Sequence, residues 1–226
     1  MSADLSVRDL GRAPYAETLA LQKRLLGEVR DAEEERAHLL LVEHDPPVVT
    51  FGTSGAEANL LADEAQLARE GIEIHRIRRG GDVTYHGPGQ LVAYPILRVD
   101  LHGRDVHAYL RSLEQVVIRT LEQLGISARR VEGLTGVWVG EQNPRKVAAI
   151  GVGVKRWVSY HGLALNVQPN MRHFGLIVPC GIADRPVTSV AELLGTEVSV
   201  SRVKPILVNS LAEEFGFDLR WEKDAS

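Results

Sequence analysis

One long helix pattern followed by three apolar runs of strand length, with no helix pattern between the runs, most constrains how this chain folds. The helix pattern spans 105–124, where Leu110, Leu113, Val117, Leu121 and Leu124 recur at helical spacing and Gly125 closes it. The apolar runs are 136–139, 147–154 and 163–167. Upstream, a helix is predicted over 14–37, opened by Pro14. Leu39-Leu40-Leu41-Val42 reads as a buried strand, Asp45-Pro46-Pro47 breaks it, and 48–51 reads as another strand. A short helix over 62–70 is closed by Gly71, and 72–77 alternates partly, like a strand. In 90–99, Pro95 marks an edge strand or a bend. Residues 202–215 are helical again, with Ser201 as the expected N-cap. Strands and helices mix without a strict βαβ alternation. That predicts an α/β fold bordering on α+β, with a mixed sheet. No repeat, low-complexity stretch or linker divides the chain, so residues 1–226 are expected to form one domain with a core of about 14–216.

The 226 residues suffice to bury a core without staples. Lysine plus arginine is 26 and aspartate plus glutamate 30, a net charge of −4, which argues against a dedicated nucleic-acid binder. The single cysteine excludes an intramolecular disulfide and fits a reducing compartment. Charges appear at once in the opening residues, with no apolar stretch of a secretory signal behind them. No apolar run approaches the ~20 residues of a membrane helix. A cytoplasmic protein, not membrane-bound, is expected.

The densest feature is Arg79-Gly80-Gly81-Asp82-Val83-Thr84-Tyr85-His86-Gly87-Pro88-Gly89-Gln90. Its four glycines let backbone approach a ligand closely, or simply serve a tight hairpin. The spacing is neither G-x-G-x-x-G nor a Walker loop, so it gives no dinucleotide or nucleotide-phosphate site. Tyr85 and His86 point beyond a bare turn. Gly80 and Gly81 are candidate amide donors, and His86 a candidate hydrogen-bonding or proton-shuttling group.

Cys180 stands between Pro179 and Gly181, with a polar, turn-rich stretch following. A lone cysteine ordinarily fills a core. A nucleophilic thiol would need a nearby cation. Lys146, opening the run Lys146-Val147-Ala148-Ala149-Ile150-Gly151, is one candidate. An ammonium about 4 Å from a thiolate is worth at most about 4 kcal/mol at an effective dielectric of 20, enough to draw the thiol toward neutrality. Spacing alone does not bring the two together. The eight histidines show no paired metal-ligand spacing, so no metal site is expected, and no G-x-S-x-G elbow occurs.

Three stretches in this order, RGGDVTYHGPGQLVAYPI at 79–96, RKVAAIGVGVKRWVSYHGLALNV at 145–167 and PCGIADRPVTSV at 179–190, resemble the lipoyl(octanoyl) transferases of lipoate biosynthesis. The resemblance implies a single catalytic domain of the biotin/lipoate protein ligase type. It implies Cys180 as the acylated nucleophile and Lys146 as the group that lowers the thiol pKa and handles protons. The implied substrate-binding residues are Arg79, Gly80, Gly81, Asp82, Val83, Thr84, Tyr85 and His86, then Ala149, Ile150 and Gly151, then Gly162, Leu163 and Ala164. Two departures stand out. Asp82 replaces a commoner glutamine or glutamate, and the 151–154 stretch carries glycine where the family more often has a charged residue. His161 fits the pattern and is given no catalytic role.

The activity so implied is a ping-pong acyl transfer. An octanoyl group passes from octanoyl-acyl carrier protein through a thioester on Cys180 to a lysine of a lipoyl domain, as in 2-oxoacid dehydrogenase E2 subunits and glycine cleavage H protein. No ATP, metal or organic cofactor is called for. Arg76, Arg78, Arg79, Arg145, Lys155, Arg156 and Arg172 are candidates for a basic docking face toward acidic partners. The rival readings are an ATP-dependent lipoate- or biotin-protein ligase and a non-catalytic acyl- or lipoyl-domain-binding module.

Overall fold

The computed structural model describes residues 3–178 and 186–222. Two sheets organise it. The larger has eight strands in the order β11-β1-β2-β6-β10-β9-β8-β7, and the smaller three in the order β4-β3-β5. In chain order the elements are β1 (Asp4–Ala13), α1 (Tyr15–Asp31), β2 (Ala37–His44), β3 (Val48–Phe51), α2 (Glu64–Arg69), β4 (Glu73–Arg76), β5 (Val83–His86) and β6 (Gln90–Ile96). Then come α3 (Val106–Gln123), β7 (Arg129–Val131), β8 (Leu134–Val139), β9 (Arg145–Lys155), β10 (Val158–Asn166), α4 (Val190–Leu194), α5 (Val200–Phe215) and β11 (Asp218–Trp221). The large sheet is mixed: β1 runs parallel to both β2 and β11, while β2, β6, β10 and β9 pair antiparallel in turn.

The apolar run on β2 explains itself by two-sided burial. Leu39 and Leu41 pack into the core beneath α3 and α5, whereas Leu40 and Val42 join Leu25, Leu26 and Val29 of α1 on the opposite face. Strand β6 divides the same way, with Leu91 and Ala93 on one face and Val92, Tyr94 and Ile96 on the other. The small sheet has its own cluster, in which Val49, Phe51, Val83 and Tyr85 pack with Leu67 of α2 and with Leu176 and Ile177.

Several local expectations are corrected. Pro95 lies on an interior strand, paired opposite Leu39 of β2. It is tolerated because the β6–β10 register runs only over 90–93 and 163–166, so the missing N–H falls beyond that ladder. The last helix begins at Val200, capped by Ser199, whose hydroxyl accepts from the Arg202 amide at 3.3 Å. The first helix ends at Asp31, and Ala37 already belongs to β2. The stretch read as a glycine-rich loop contains strand β5, and the opening residues form β1. No helix among the described residues is long and apolar enough to cross a membrane.

Candidate active site

The two sheets face each other across a narrow, mostly apolar pocket. The large sheet supplies Val92 and Tyr94 from β6, Ala149, Ile150 and Gly151 from β9, and His161, Gly162, Leu163 and Ala164 from β10. The small-sheet side supplies Ile77, Arg79, Gly81, Thr84 and His86, and Tyr15 enters from the start of α1. The β9 and β10 residues meet in register, Ala149 opposite Ala164, Ile150 opposite Leu163 and Gly151 opposite Gly162. Small residues are required there. A Cβ on Gly162 would stand 2.3 Å from the Ala93 carbonyl oxygen, and one on Gly151 would stand 2.9 Å from that of Gly80.

The stretch 79–86 splits by strand alternation. Thr84 and His86 face the pocket, while Val83 and Tyr85 turn into the small core. The Tyr85 hydroxyl pairs with His173 Nδ1 at 2.8 Å, away from the pocket. Asp82 is structural: its carboxylate accepts from the Ala56 amide at 3.0 Å and from the Asn59 side-chain amide. The Gly80 amide donates to the Val152 carbonyl at 2.8 Å, so it is not free to hold an oxyanion. Arg79 is buried, and its guanidinium donates to the Thr50 carbonyl (2.9 Å), the Thr50 hydroxyl (3.0 Å) and the Gly80 carbonyl (3.0 Å). The stretch therefore gives Arg79, Gly81, Thr84 and His86 to the pocket wall and uses Asp82, Val83 and Tyr85 to hold it.

Burial fixes the protonation of three histidines, two lining the pocket and His44 beside it. Desolvation pushes His86 down to about 3, His161 down to about 3 and His44 down to about 4. All three are neutral at neutral pH. The expected proton-shuttling role of His86 is replaced by a hydrogen-bonding one, with Nδ1–H donating to Gln90 Oε1 at 2.7 Å. His44 Nδ1–H donates to the Ala13 carbonyl at 3.3 Å, which leaves Nε2 to accept from the Tyr94 hydroxyl at 2.7 Å. Tyr15 and His161 line the pocket with a hydroxyl and an Nε2 that have no hydrogen-bond partner among the described residues. Burial raises the Tyr15 phenol above its ordinary value, so it stays a neutral donor.

Of these aromatic groups, His86 and His161 were singled out from the sequence, whereas Tyr15, His44 and Tyr94 were given no site role. Tyr15 and Tyr94 looked like ordinary helix and strand residues, and only the three-dimensional pairing of the two sheets brings them to one cavity. Beyond Ile77, Arg79 and His161 the pocket continues into a wider groove bordered by Lys23, Arg76, Arg78 and Lys155. Glycine at 153 has a reason here: a Cβ would collide with the Tyr160 ring at 2.4 Å. The Tyr160 hydroxyl in turn donates to the Arg78 carbonyl at 2.8 Å.

Lys146 lies at the opposite end of the β9 segment from that groove and is only 5% exposed. Its main chain is held on the side toward the cysteine segment. The Lys146 amide donates to the Pro186 carbonyl and the Thr188 amide donates to the Lys146 carbonyl, both at 2.9 Å. A further chain of bonds ties this corner to the pocket: Asn166 Nδ2 donates to the Thr188 carbonyl (3.0 Å), and Gln90 Nε2 donates to Asn166 Oδ1 (2.9 Å). Cys180, with Pro179 and Gly181, lies outside the described residues. Among the described residues no group of three His, Cys, Asp or Glu side chains is placed to hold a metal ion.

The site is thus a glycine-lined slot between a mixed sheet, flanked by helices on both faces, and the smaller sheet, with the buried Lys146 on one of the strands that line it. The chain belongs to the lipoyl protein ligase A/B catalytic domain family, whose model matches residues 14–212. Its relatives include the octanoyltransferase of Solibacter usitatus, 49% identical over 94% of each chain. That of Alkaliphilus metalliredigens is 46% identical over 95% of this chain and 97% of its own. Among solved structures, a bipartite lipoate protein ligase from Thermoplasma acidophilum superposes with a TM-score of 0.77 at 19% identity, covering 99% of this chain and 88% of that one. A lipoate-protein ligase A bound with ATP gives the same score and identity, covering 99% and 90%. These two share the fold.

Proposed function

We propose that this chain transfers an octanoyl group from octanoyl-acyl carrier protein to the ε-amine of a lipoyl-domain lysine, through a thioester on Cys180. The observation that carries the reading is the narrow apolar slot between the sheets, lined by Ala149, Gly151, Gly162 and Ala164, the first two on the strand that also carries Lys146. The octanoyltransferase relatives at 46–49% identity support the same acyl group.

The Cys180 thiolate attacks the donor carbonyl, and the bond to the phosphopantetheine sulfur breaks. The Lys146 ammonium protonates the departing sulfur. The lipoyl-domain amine then attacks the acyl-Cys180 carbonyl, neutral Lys146 takes the amine proton, and the amide forms as the Cys180 thiolate leaves. Thioester cleavage drives the reaction, so no nucleotide enters. With the Gly80 amide engaged, the oxyanion donors lie elsewhere than at that residue. The acceptors are lipoyl-domain proteins, with E2 subunits and H protein the particular partners. Residues 1–226 act as one catalytic unit in the cytoplasm.

The test is ATP-free incubation with octanoyl-acyl carrier protein, followed by mass spectrometry. Wild type should gain one octanoyl group that Cys180→Ala does not. Lys146→Ala should acylate at least about 100-fold more slowly. Full turnover by Cys180→Ala, or a strict need for ATP, overturns the reading and favours a ligase.

A further inference from the structure

Strand β8 does more than close the sheet beyond β9. Trp138 on β8 pairs directly opposite Lys146 on β9, so the two side chains share a face. The indole is 1% exposed, and Lys146 Nζ lies 4.7 Å from its ring centroid. That is inside the range at which a cation is held over an aromatic face.

A second observation concerns the lysine stem. Two residues before Trp138, Gly136 adopts φ +122°. A Cβ there would stand 2.7 Å from the Ala148 carbonyl oxygen and 3.4 Å from Lys146 Cε. The Ala148 carbonyl thus requires glycine at 136, and that glycine lies alongside the lysine stem. Glu114, wholly buried on α3, fixes that glycine. Its Oε1 accepts the Gly136 amide at 3.0 Å, and its Oε2 accepts from Arg111 at 2.6 Å and Arg130 at 3.0 Å. The helix side holds Gly136 against the lysine stem, and the indole meets the ammonium at its end.

We propose that Trp138 is a positioning residue for Lys146, its indole face holding the ammonium at the point from which it serves the transfer; the proposal rests on the reading of Lys146 as the proton-handling group. An aromatic face of any kind supplies this hold, and an aliphatic side chain does not. A desolvated cation–π contact of this type corresponds to about a 5- to 30-fold effect on rate.

The test compares Trp138→Leu, Trp138→Met, Trp138→Phe and Lys146→Ala in the full chain. Two rates are read: steady-state transfer from octanoyl-acyl carrier protein, and alkylation of Cys180 by iodoacetamide at neutral pH. Leu and Met should lower kcat by about 5- to 30-fold with little change in KM for the donor, and slow alkylation in parallel. Phe should recover most of that loss. Met fills irregular space, so it keeps the comparison available if the Leu variant folds poorly. Equal rates for Phe and Met with Lys146→Ala inactive overturn the proposal alone. Full activity in Lys146→Ala overturns the reading beneath it.

Discussion

The two sheets that enclose the slot are held in place by different forces. The eight-stranded floor is buried on both faces over β2 and β6, and its shape follows from backbone ladders and apolar packing. The three-stranded wall has strands of four residues and is tied by polar side chains, Arg79 to Thr50 and Asp82 to the 56–59 turn. The floor therefore has little room to adjust, because its neighbours are main chain. The wall adds to its short ladders and small apolar cluster a few charge-assisted bonds that single substitutions remove.

The sharpest test of that contrast is a methyl group added to each side. Gly162→Ala places a Cβ 2.3 Å from a floor carbonyl and should cost about 3 kcal/mol or more, with loss of transfer activity. Gly81→Ala meets only the end of the Arg79 side chain at 3.3 Å and carries the strain of φ +88°, about 1 kcal/mol. Urea denaturation reads both, and equal losses would break the contrast.

Next in size is Arg79→Ala, which strips the wall of its bonds to Thr50 and Gly80. A loss of about 2 kcal/mol is expected, from hydrogen bonds that involve a charged donor. The KM for the donor should rise with it, because the wall no longer holds its distance from the floor. An unchanged denaturation midpoint would show that packing alone supports the wall.

Taken one histidine and one pH unit at a time, the smallest effect is a pH slope at the seam. His44 and His161 come from the floor and His86 from the wall, with folded pKa values of about 4, 3 and 3 against an ordinary 6.5. Below pH 6.5 the unfolded chain binds protons that the folded chain refuses. Stability therefore falls as the pH drops toward 4, by about 1.4 kcal/mol per pH unit for each histidine. His161→Gln should flatten the slope between pH 6 and 4 by about that amount. A slope unaltered in the variant would mean that His161 charges freely in the fold.

The same division governs what was legible in the sequence. The floor strands were readable because two-sided burial writes a continuous apolar run, as in 39–42 and 147–154. The wall was not. Strand β5 has four residues between glycines and exists only through its pairing with β3, so 79–90 read as a loop. Strand β1 was missed because its apolar pair, Leu5 and Val7, gives way to charges, and parallel pairing with β2 and β11 decides it. Ser201 was the expected cap of the last helix, and the backbone places the cap two residues earlier, at Ser199. Within the site, 79–86 was picked out as one block. Period-two alternation would have divided it, had the strand been recognised. Lys146 and Cys180 were candidates from residue type alone, and their pairing came through resemblance, because no spacing rule joins them.

The segment carrying Cys180 leaves one sheet and arrives at the other. On the near side, the Val178 amide donates to the Asn59 carbonyl at 2.7 Å, and Ile177 packs with the wall cluster. On the far side, Pro186 and Thr188 bond the main chain of Lys146 on the floor. The described flanks, 177–178 and 186–188, are thus fastened to different sheets, so a substitution that shifts wall against floor also changes the separation of these two anchors.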